Sequence, residues 1–422
     1  MKILMFTGML NRTLDANNKI ACELADTLVR NGHTVVVCGL SDGEEMVEEE
    51  PGRAVRVYYR GHDPVTLAKE KLERFVAGKG GVRGKAVREF TLRHPLAAAA
   101  VFFSYTKLYR DDRVVGRAVR VIRNLHRKYD FDVAIAFCAP FWSVKSVMRA
   151  MLPGVTGIII QLDPWGLHEM EIRVCSDPQK RIRQETALFK QADHILTTRP
   201  LLKQYEQNEA YRPFLGKMEW MDFPNIRKVW TAGKNPIDFD RNYTHILFAG
   251  MMDDRYRNPA CFLQLAEKLI EQNVKIRVHF LGTNLSDRLF EYAGRYPENI
   301  VLHGSVPVDD AFAAMQACDF LLNISNTISN MVPSKIFDYF SLGKPMINVQ
   351  KIADCPAAEY MRRYPLCFNI EEFNDRDCSE ELRKFLQEKK GIRLNFEEIR
   401  ALYETATPEY VAGQIEAALG HN

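Results

Sequence analysis

The sequence predicts an α/β protein built from two successive arrays of alternating strands and helices. Its 422 residues suffice for two or three domains of ordinary size. An apolar strand at 2–7, a helix at 17–30 and a second apolar strand at 34–38 open the chain, and this order favours a parallel sheet. The same alternation restarts at 244 after a linker at 232–236. We therefore expect two Rossmann-like domains with parallel sheets that face each other across a cleft.

The two arrays set the predicted domain boundaries. We place a first domain at residues 1–232, a second at 233–395, and a C-terminal helix within 396–422 that packs back toward the first domain. Further strands of the first array are expected at 55–59, 133–137, 155–162 and 194–198. The second array predicts strands at 244–249, 275–281, 300–303, 320–324 and 345–349, separated by helices at 259–272, 286–293, 308–317 and 334–342.

Composition excludes several classes of protein. With 46% hydrophobic and 26% charged residues, the chain is neither disordered nor fibrous. No apolar run reaches the roughly 20 residues of a membrane-spanning helix. The apolar N-terminus is interpreted as a first strand, because no small-residue cleavage site follows it. Nine scattered cysteines without a C-x-x-C pair indicate reduced thiols in a cytoplasmic protein.

Basic charge is concentrated in one segment of the first domain, residues 69–128. This segment holds sixteen Lys and Arg residues against five acidic ones, while the whole chain has a net charge of only +3. Residues 113–128 have the pattern of an amphipathic helix with an arginine-rich outer face. The segment is interpreted as a solvated face or as a surface that docks on anionic lipid headgroups; protein partners, an anionic acceptor and nucleic acid are the remaining alternatives. No nucleic-acid-binding module is recognisable.

The familiar cofactor motifs are missing. No G-x-G-x-x-G follows a strand and no P-loop occurs, which argues against a dehydrogenase or a P-loop enzyme.

The most informative stretch runs from a buried strand at 320–324 through a small polar loop into a helix that begins near Pro333-Ser334-Lys335. Free backbone N–H groups beside a lysine suit a diphosphate. Asp338, one turn further, could accept hydrogen bonds from two ribose hydroxyls. The alternative is an ordinary capped helix in which Lys335 and Asp338 form a surface pair.

An ordered set of segments carries a family resemblance. These are His245-Ile-Leu-Phe-Ala-Gly250 with Arg257-Asn258-Pro259, the strand ends at 278–282 and 301–304, the segment 317–324, and Val332-Pro-Ser-Lys-Ile-Phe-Asp-Tyr-Phe-Ser-Leu-Gly-Lys-Pro345. Together they resemble the group 1 (family 4-like) glycosyltransferases of the GT-B fold. The last segment is similar to the P-x-K-x-[FL]-E-Y subgroup. In the first array, 24–35, 132–133, 191–195 and 223–225 also fit.

The resemblance implies roles in binding a nucleotide-diphosphate sugar. Asp338 stands at the ribose-binding position, one methylene shorter than the usual glutamate. Arg257 and Lys335 would clamp the diphosphate and assist catalysis, and Gly250 and Arg255 would lie beside them. The base pocket would be formed by Gly304, Ser305 and Val306. The loop over the diphosphate and sugar would consist of Asn330, Met331, Val332, Pro333 and Ser334.

Two methionines depart from the family pattern. Met251 replaces an arginine that follows the strand glycine, and Arg255 could substitute for its charge. Met331 stands where the family has the first glutamate of a pair. These departures raise the alternative of a non-catalytic nucleotide-sugar-binding or scaffold protein.

On the acceptor side, Asp163 and His168 follow the strand at 155–162 and are candidate catalytic residues. Asp163 would orient an acceptor hydroxyl, or else cap the turn before Pro164. His168 would orient a hydroxyl or bind phosphate, or else be an ordinary surface histidine. Asp15, in the loop before the first helix, would approach the diphosphate or merely cap that helix.

We therefore expect a glycosyltransferase that moves a sugar from a nucleotide-diphosphate donor to a glycan or lipid-linked acceptor. The resemblance implies retention of configuration, independence from metal, no cofactor beyond the nucleotide sugar, and a place in cell-surface polysaccharide synthesis. The acidic pair Asp253-Asp254 is interpreted as solvated loop carboxylates rather than a metal site. The expected location is cytoplasmic, with possible peripheral attachment to the inner face of the plasma membrane through 69–128, and no nucleic acid partner. A nucleotide-sugar 2-epimerase is a further alternative.

Overall fold

The computed structural model describes residues 1–10, 16–41, 45–60, 91–96, 111–138, 140–150, 152–169, 175–229, 233–282 and 284–420. The chain divides into two compact units. Unit 1 comprises Met1–Asp222 and Val411–Asn422, and unit 2 comprises Phe223–Tyr410. These divisions differ from the predicted boundaries at 232 and 395.

Unit 1 contains an eight-stranded sheet in the order β3-β4-β2-β1-β5-β6-β7-β8, in which only the β3–β4 pair is antiparallel. Its elements are β1 (Lys2–Met9), α1 (Ala16–Arg30), β2 (Thr34–Ser41), β3 (Met46–Glu48), β4 (Val55–Arg60), α2 (Asp111–Tyr129), β5 (Val133–Phe137), α3 (Phe141–Ala150), β6 (Thr156–Gln161), α4 (Pro178–Phe189), β7 (His194–Thr197), α5 (Arg199–Glu206) and β8 (Met218–Trp220). The strands predicted for the first array are all present.

Unit 2 contains a six-stranded parallel sheet in the order β13-β11-β9-β14-β15-β16, and a two-stranded pair β10-β12. Its elements are β9 (Thr244–Ala249), β10 (Met252–Asp253), α6 (Ala260–Glu271), β11 (Ile276–Leu281), β12 (Asn284–Leu285), α7 (Asp287–Arg295), β13 (Ile300–Gly304), α8 (Val308–Ala317), β14 (Phe320–Ile324), α9 (Lys335–Ser341), β15 (Met346–Gln350), α10 (Ala358–Arg363), β16 (Cys367–Glu371), α11 (Ser379–Lys389) and α12 (Phe396–Leu402). The last helix, α13 (Pro408–Gly420), begins in unit 2 and continues into unit 1. The sequence analysis missed β10, β12, α10, β16, α11 and α12.

Continuous apolar runs create both cores. Ile3, Leu4, Met5 and Phe6 of β1 are all fully buried, although successive side chains point to opposite faces of the sheet. Burial on both faces is what parallel sheets covered by helices require. The second core is built in the same way from buried residues of β9, β11 and β14. None of the nine cysteines forms a disulfide.

The C-terminal helix α13 contributes its last ten residues to unit 1. Val411 and Ile415 are fully buried. The carboxylate of Glu416 lies 2.9 Å from Nε2 of His33, and the amide of Gln414 donates to the carbonyl of Trp220 at 3.0 Å. Among the described helices, none has the length and apolarity to cross a membrane.

Three histidines form a hydrogen-bonded row across neighbouring strands of unit 2. Nε2 of His245 lies 2.7 Å from the carbonyl of Asp240, so this nitrogen carries a proton. Nδ1 of His245 lies 2.9 Å from Nε2 of His279, and Nδ1 of His279 lies 2.9 Å from Nε2 of His303. Burial lowers the pKa of all three rings, that of His279 to about 3. The row is therefore neutral at pH 7, with each Nε2 donating.

This histidine row predicts a loss of stability in mild acid. Unfolded histidines titrate near pH 6.5, whereas the folded ones resist protonation, so the unfolded state binds more protons below that pH. The free energy of unfolding should decrease as pH falls from 7 to 5.5, by up to about 1.4 kcal/mol per pH unit for each fully excluded proton. Urea unfolding at several pH values measures this slope. His279→Gln should make it shallower, and an unchanged slope would contradict the assignment.

Candidate functional site

Three glycine turns lie side by side at the carboxyl edge of the unit 2 sheet. Gly250, Gly282 and Gly304 follow or end β9, β11 and β13 and have φ values of 142°, 120° and 70°. The N–H of Gly282 donates to the carbonyl of Gly304 at 2.7 Å, and the N–H of Gly250 donates to that of Leu281 at 2.8 Å. A Cβ on Gly282 would lie 2.2 Å from the carbonyl oxygen of Gly250. The positive φ values favour glycine at all three turns, and at Gly250 and Gly282 close packing also excludes a Cβ.

Lys335 places its ammonium group at this edge. Its Nζ donates to the carbonyl of Ala249 at 2.9 Å and lies 4.5 Å from the ring centroid of Phe248. A Cβ on Gly250 would lie 2.2 Å from the same Nζ, so Gly250 provides the space for the ammonium. The hydroxyl of Tyr339 accepts from the N–H of Ala249 at 3.0 Å and lies 3.2 Å from its carbonyl, which fixes the end of β9.

Arg257 is a second cation at the same edge. One of its terminal nitrogens donates to the carbonyl of Met251 at 3.2 Å, and its buried Nε has no hydrogen-bond partner among the described residues. Burial lowers the pKa of Arg257. Burial, and then the positive charge of Arg257, hold the pKa of Lys335 well below its usual range. A bound anion would be stabilised by two cations that are partly removed from water and repel each other.

Asp338, the predicted ribose ligand, is engaged by a residue that the sequence analysis missed. Its Oδ1 lies 3.3 Å from the guanidinium of Arg227, and both side chains are largely buried, at 18% and 12% exposure. Arg227 also donates to the carbonyl of Asn225 at 3.3 Å. The only sequence signal for Arg227 is its place two residues after the Phe223-Pro-Asn225 segment.

The remaining predicted donor-site residues differ in exposure. In the loop before α9, Asn330 is fully buried, Val332 and Pro333 are buried, and Met331 and Ser334 are half-buried. The loop after β13 has Gly304 and Ser305 exposed and Val306 half-buried. Arg255 is exposed, with its guanidinium 5.0 Å from the ring centroid of Tyr256. Of the predicted donor-site residues, Gly250 packs against the ammonium group of Lys335. The charges of Arg257 and Asp338 act on that ammonium group.

The acidic pair after β9 serves local structure. Asp253 accepts from the backbone N–H groups of Arg255 and Tyr256 at 2.9 and 2.6 Å. Asp254 accepts from the Ser286 hydroxyl at 2.5 Å and from the N–H of Asp287 at 2.8 Å, at the start of α7. Within the described part of the chain, no group of three or more His, Cys, Asp or Glu residues could hold a metal ion.

In unit 1, the structure places Asp163 directly after β6. It is half-buried, and burial raises its pKa to about 6. Its carboxylate has no hydrogen-bond partner among the described residues, which argues against the turn-capping alternative. His168 is half-buried in the same loop. Asp15 lies outside the described residues.

Residues 243–363 match the family model of the glycosyl transferases group 1. This region contains the glycine edge, Arg257, Lys335 and Asp338, so the family resemblance and the cationic site coincide. The match supports a glycosyl transfer function. A comparison with curated protein sequences finds no match.

Solved structures of glycosyltransferases share the fold of the whole chain. Sucrose-phosphate synthase from Thermosynechococcus elongatus is 12% identical with a TM-score of 0.62, covering 100% of this chain and 98% of its own. An alpha-glucosyltransferase in complex with UDP is 11% identical with a TM-score of 0.52 (99% and 100% covered). The lipopolysaccharide outer core galactosyltransferase WaaB is 10% identical with a TM-score of 0.51 (100% and 99% covered). The chain has the GT-B fold.

Met251 and Met331, the two positions that depart from the pattern of the group 1 family, have different surroundings. Met251 is 53% exposed, and its backbone carbonyl accepts from Arg257. Met331 is half-buried beside the fully buried Asn330. Their effect on activity, and membership of the subgroup, stay predictions.

The basic segment is described only in part, since 61–90 and 97–110 lie outside the described residues. The predicted helix at 113–128 is confirmed as α2, with Val115, Ala118 and Ile122 buried. Its outer face exposes Arg117, Arg120, Arg123, Arg127 and Lys128. Arg123 also has a local structural role, because its Nε donates to the carbonyl of Ala150 at 3.0 Å.

Proposed function

We propose that the chain is a glycosyltransferase that transfers a sugar from a nucleoside-diphosphate donor to a hydroxyl of a glycan or lipid-linked acceptor. The observation that carries the proposal is the pair of desolvated cations, Lys335 and Arg257, at the glycine edge of the sheet in the family-matched region. The presence of UDP in one fold neighbour is consistent with this donor class.

Lys335 and Arg257 would stabilise the negative charge that develops on the departing diphosphate. Breaking the bond between the sugar and the diphosphate leaves negative charge on the departing oxygen. The ammonium of Lys335 and the guanidinium of Arg257 would meet that charge without reorganisation, because Ala249, Phe248 and Met251 already fix them. Asp338, which pairs with Arg227, would bind the ribose hydroxyls.

On the acceptor side, Asp163 would orient the attacking hydroxyl. Its raised pKa of about 6 lets it accept a proton near neutral pH more readily than an ordinary aspartate. Retention of configuration, independence from metal, a role in surface polysaccharide synthesis and a cytoplasmic location are parts of the proposal that rest on the family resemblance.

A thermal-shift panel of UDP, GDP, ADP, CMP and their common sugars tests the donor site. A ligand at about 100 times its Kd should stabilise the folded chain by about 2.7 kcal/mol. One nucleoside diphosphate should stand out, and Arg257→Ala should abolish its effect. If no nucleotide shifts the wild-type chain, the donor-site assignment fails. Binding without turnover would favour the non-catalytic alternative, and an epimerised donor without acceptor would favour an epimerase.

We further propose that the outer face of α2 docks on anionic lipid. Five exposed cations on one helix would gain about 1 kcal/mol each near an anionic surface at low salt. Flotation with phosphatidylserine-containing vesicles should show salt-sensitive binding that is lost when Arg117, Arg120 and Arg127 are all changed to glutamine. Arg123 is left in place because it bonds to Ala150. Unchanged flotation would refute the surface.

A further inference from the structure

The loop after β6, which carries Asp163 and His168, is held by two charged side chains of α4. Glu185 and Arg181 lie one turn apart on this helix and are buried, with exposed fractions of 0% and 5%. Moving charges out of water costs several kcal/mol unless hydrogen bonds replace the lost water. The hydrogen-bond partners of Glu185 and Arg181 therefore indicate what these buried charges do.

Glu185 receives hydrogen bonds mainly from the loop and from the strand end before it. Its Oε1 accepts from the N–H of Trp165 at 3.0 Å and from the side-chain amide of Gln161 at 2.9 Å. The hydroxyl of Tyr211 donates to Oε2 at 2.5 Å. Burial raises the pKa of Glu185, and these hydrogen bonds oppose that rise because they favour the ionised form.

Arg181 holds the same loop by its carbonyl groups. It donates to the carbonyl oxygens of Trp165 at 3.1 Å, His168 at 3.3 Å and Cys175 at 2.8 Å. The planar guanidinium can reach three acceptors at fixed angles, which an ammonium cannot do. Two side chains one turn apart on α4 thus bind both a backbone N–H group and backbone carbonyl groups of the same loop.

The loop packs closely against Glu185 and Arg181, which together are called the clamp. A Cβ on Gly166 would lie 2.0 Å from the Tyr211 hydroxyl and 2.5 Å from Oε2 of Glu185, so only glycine brings the backbone so close. The ring of Trp165 stacks on Phe141 with centroids 4.5 Å apart and an interplanar angle of 5°. Gln161 donates to the backbone carbonyl of Asp163 at 2.9 Å and also to Glu185, so it links the Asp163 backbone to the clamp.

We propose that Glu185 and Arg181 are positioning residues for the acceptor side of the transfer reaction. They hold the loop so that the half-buried Asp163 carboxyl group stays in place at the end of β6, where it orients the attacking hydroxyl. An apolar pair would fill the same space without the cost of desolvation, but it would leave the amides and carbonyls of the loop unsatisfied. The catalytic purpose rests on the proposed function, whereas the positioning can be tested alone.

The first experiment follows the Asp163 carboxyl carbon by NMR titration in the full-length chain. In Glu185→Gln, the loop should loosen and admit water, so the midpoint should fall from about 6 by at least about one pH unit toward the ordinary 3.8. Exchange of the Trp165 and Gly166 amide protons should accelerate at least about tenfold. Nearby, Cys138 is also buried, and its raised pKa keeps it neutral over this range.

Tyr211→Phe is the matched control, because it removes a donor to the same carboxylate from outside the loop. It should leave the Asp163 midpoint and the amide exchange near the wild-type values. Arg181→Lys is a second test variant that keeps the charge but loses the three-carbonyl geometry, and it should accelerate amide exchange in the loop. If both Glu185→Gln and Arg181→Lys leave the midpoint and the exchange rates unchanged, the positioning role is overturned.

A second measurement separates positioning from the proposed function. With the donor found by the nucleotide panel, Glu185→Gln should raise the acceptor KM and lower kcat by about tenfold or more, while the nucleotide Kd stays unchanged. A wild-type chain that binds no nucleotide would remove the proposed function and leave the Asp163 titration as the test of positioning. Unchanged kinetics in Glu185→Gln, despite a shifted midpoint, would overturn the catalytic purpose of the clamp.

Discussion

Lys335→Ala is expected to lower turnover of a nucleoside-diphosphate sugar by about 10²–10³-fold, the usual cost of losing one charged donor to a transition-state oxyanion. The substitution removes the ammonium that lies 2.9 Å from the Ala249 carbonyl. The fold should persist, because the Tyr339 hydroxyl lies 3.2 Å from the same carbonyl and can donate to it. Steady-state kinetics measure the loss, and calorimetry should show weaker binding of the nucleoside diphosphate.

Two comparisons make this result specific. Lys268→Ala is the matched control, since Lys268 lies on α6 of the same unit and pairs with Asp377 at 2.7 Å, with no contact to the glycine edge among the described residues. It should retain full turnover. The unphosphorylated nucleoside should bind Lys335→Ala and the wild type equally. A Lys335→Ala chain that keeps the wild-type diphosphate affinity and kcat would contradict the assignment of Lys335.

Gly282→Ala is expected to destabilise unit 2 by about 3 kcal/mol or more, since it combines overpacking with backbone strain. The new Cβ would lie 2.2 Å from the Gly250 carbonyl oxygen, which is backbone and cannot rotate away. A φ of 120° is in addition unfavourable for alanine. Because Gly250 also frames the Lys335 ammonium, the variant should lose the thermal shift from nucleoside diphosphate.

Gly294→Ala is the matched control for this loss. Gly294 lies exposed on α7, and nothing stands within 4 Å of a Cβ placed on it, so alanine should be neutral or stabilising by about 0.5–1 kcal/mol. Urea unfolding of the three chains gives the comparison. Equal stability of the Gly282→Ala and wild-type chains would show that the glycine edge tolerates a side chain.

Much of the fold could be predicted because its signals are local. The apolar runs at 2–7 and 244–249 became β1 and β9, and the amphipathic pattern at 113–128 became α2. The spacing of apolar residues shows whether a strand is buried on both faces or a helix along one stripe, and this spacing does not depend on distant parts of the chain. The short strand β16 was missed because its apolar signal is weak: only Ile370 is buried, the first three residues are half-buried, and Glu371 is exposed.

Partners of the site residues could not be predicted in the same way. Asp338 pairs with Arg227 across 111 positions of sequence. Glu185 reaches Gln161 from 24 positions away, and His245 meets His279 from 34. Such pairs depend on strand order and register, and many orders are compatible with the same local pattern.

By itself, the sequence determined two α/β arrays, the basic helix and a lysine placed just after a strand–loop segment, because periodicity and turn chemistry act within a few residues. The tertiary structure alone decided that three glycine turns share one edge, that Lys335 and Arg257 are desolvated beside each other, and that Glu185 and Arg181 clamp the Asp163 loop. The physical reason is that desolvation, charge coupling and backbone close approach are properties of neighbours in space, and the packing of parallel strands sets those neighbours.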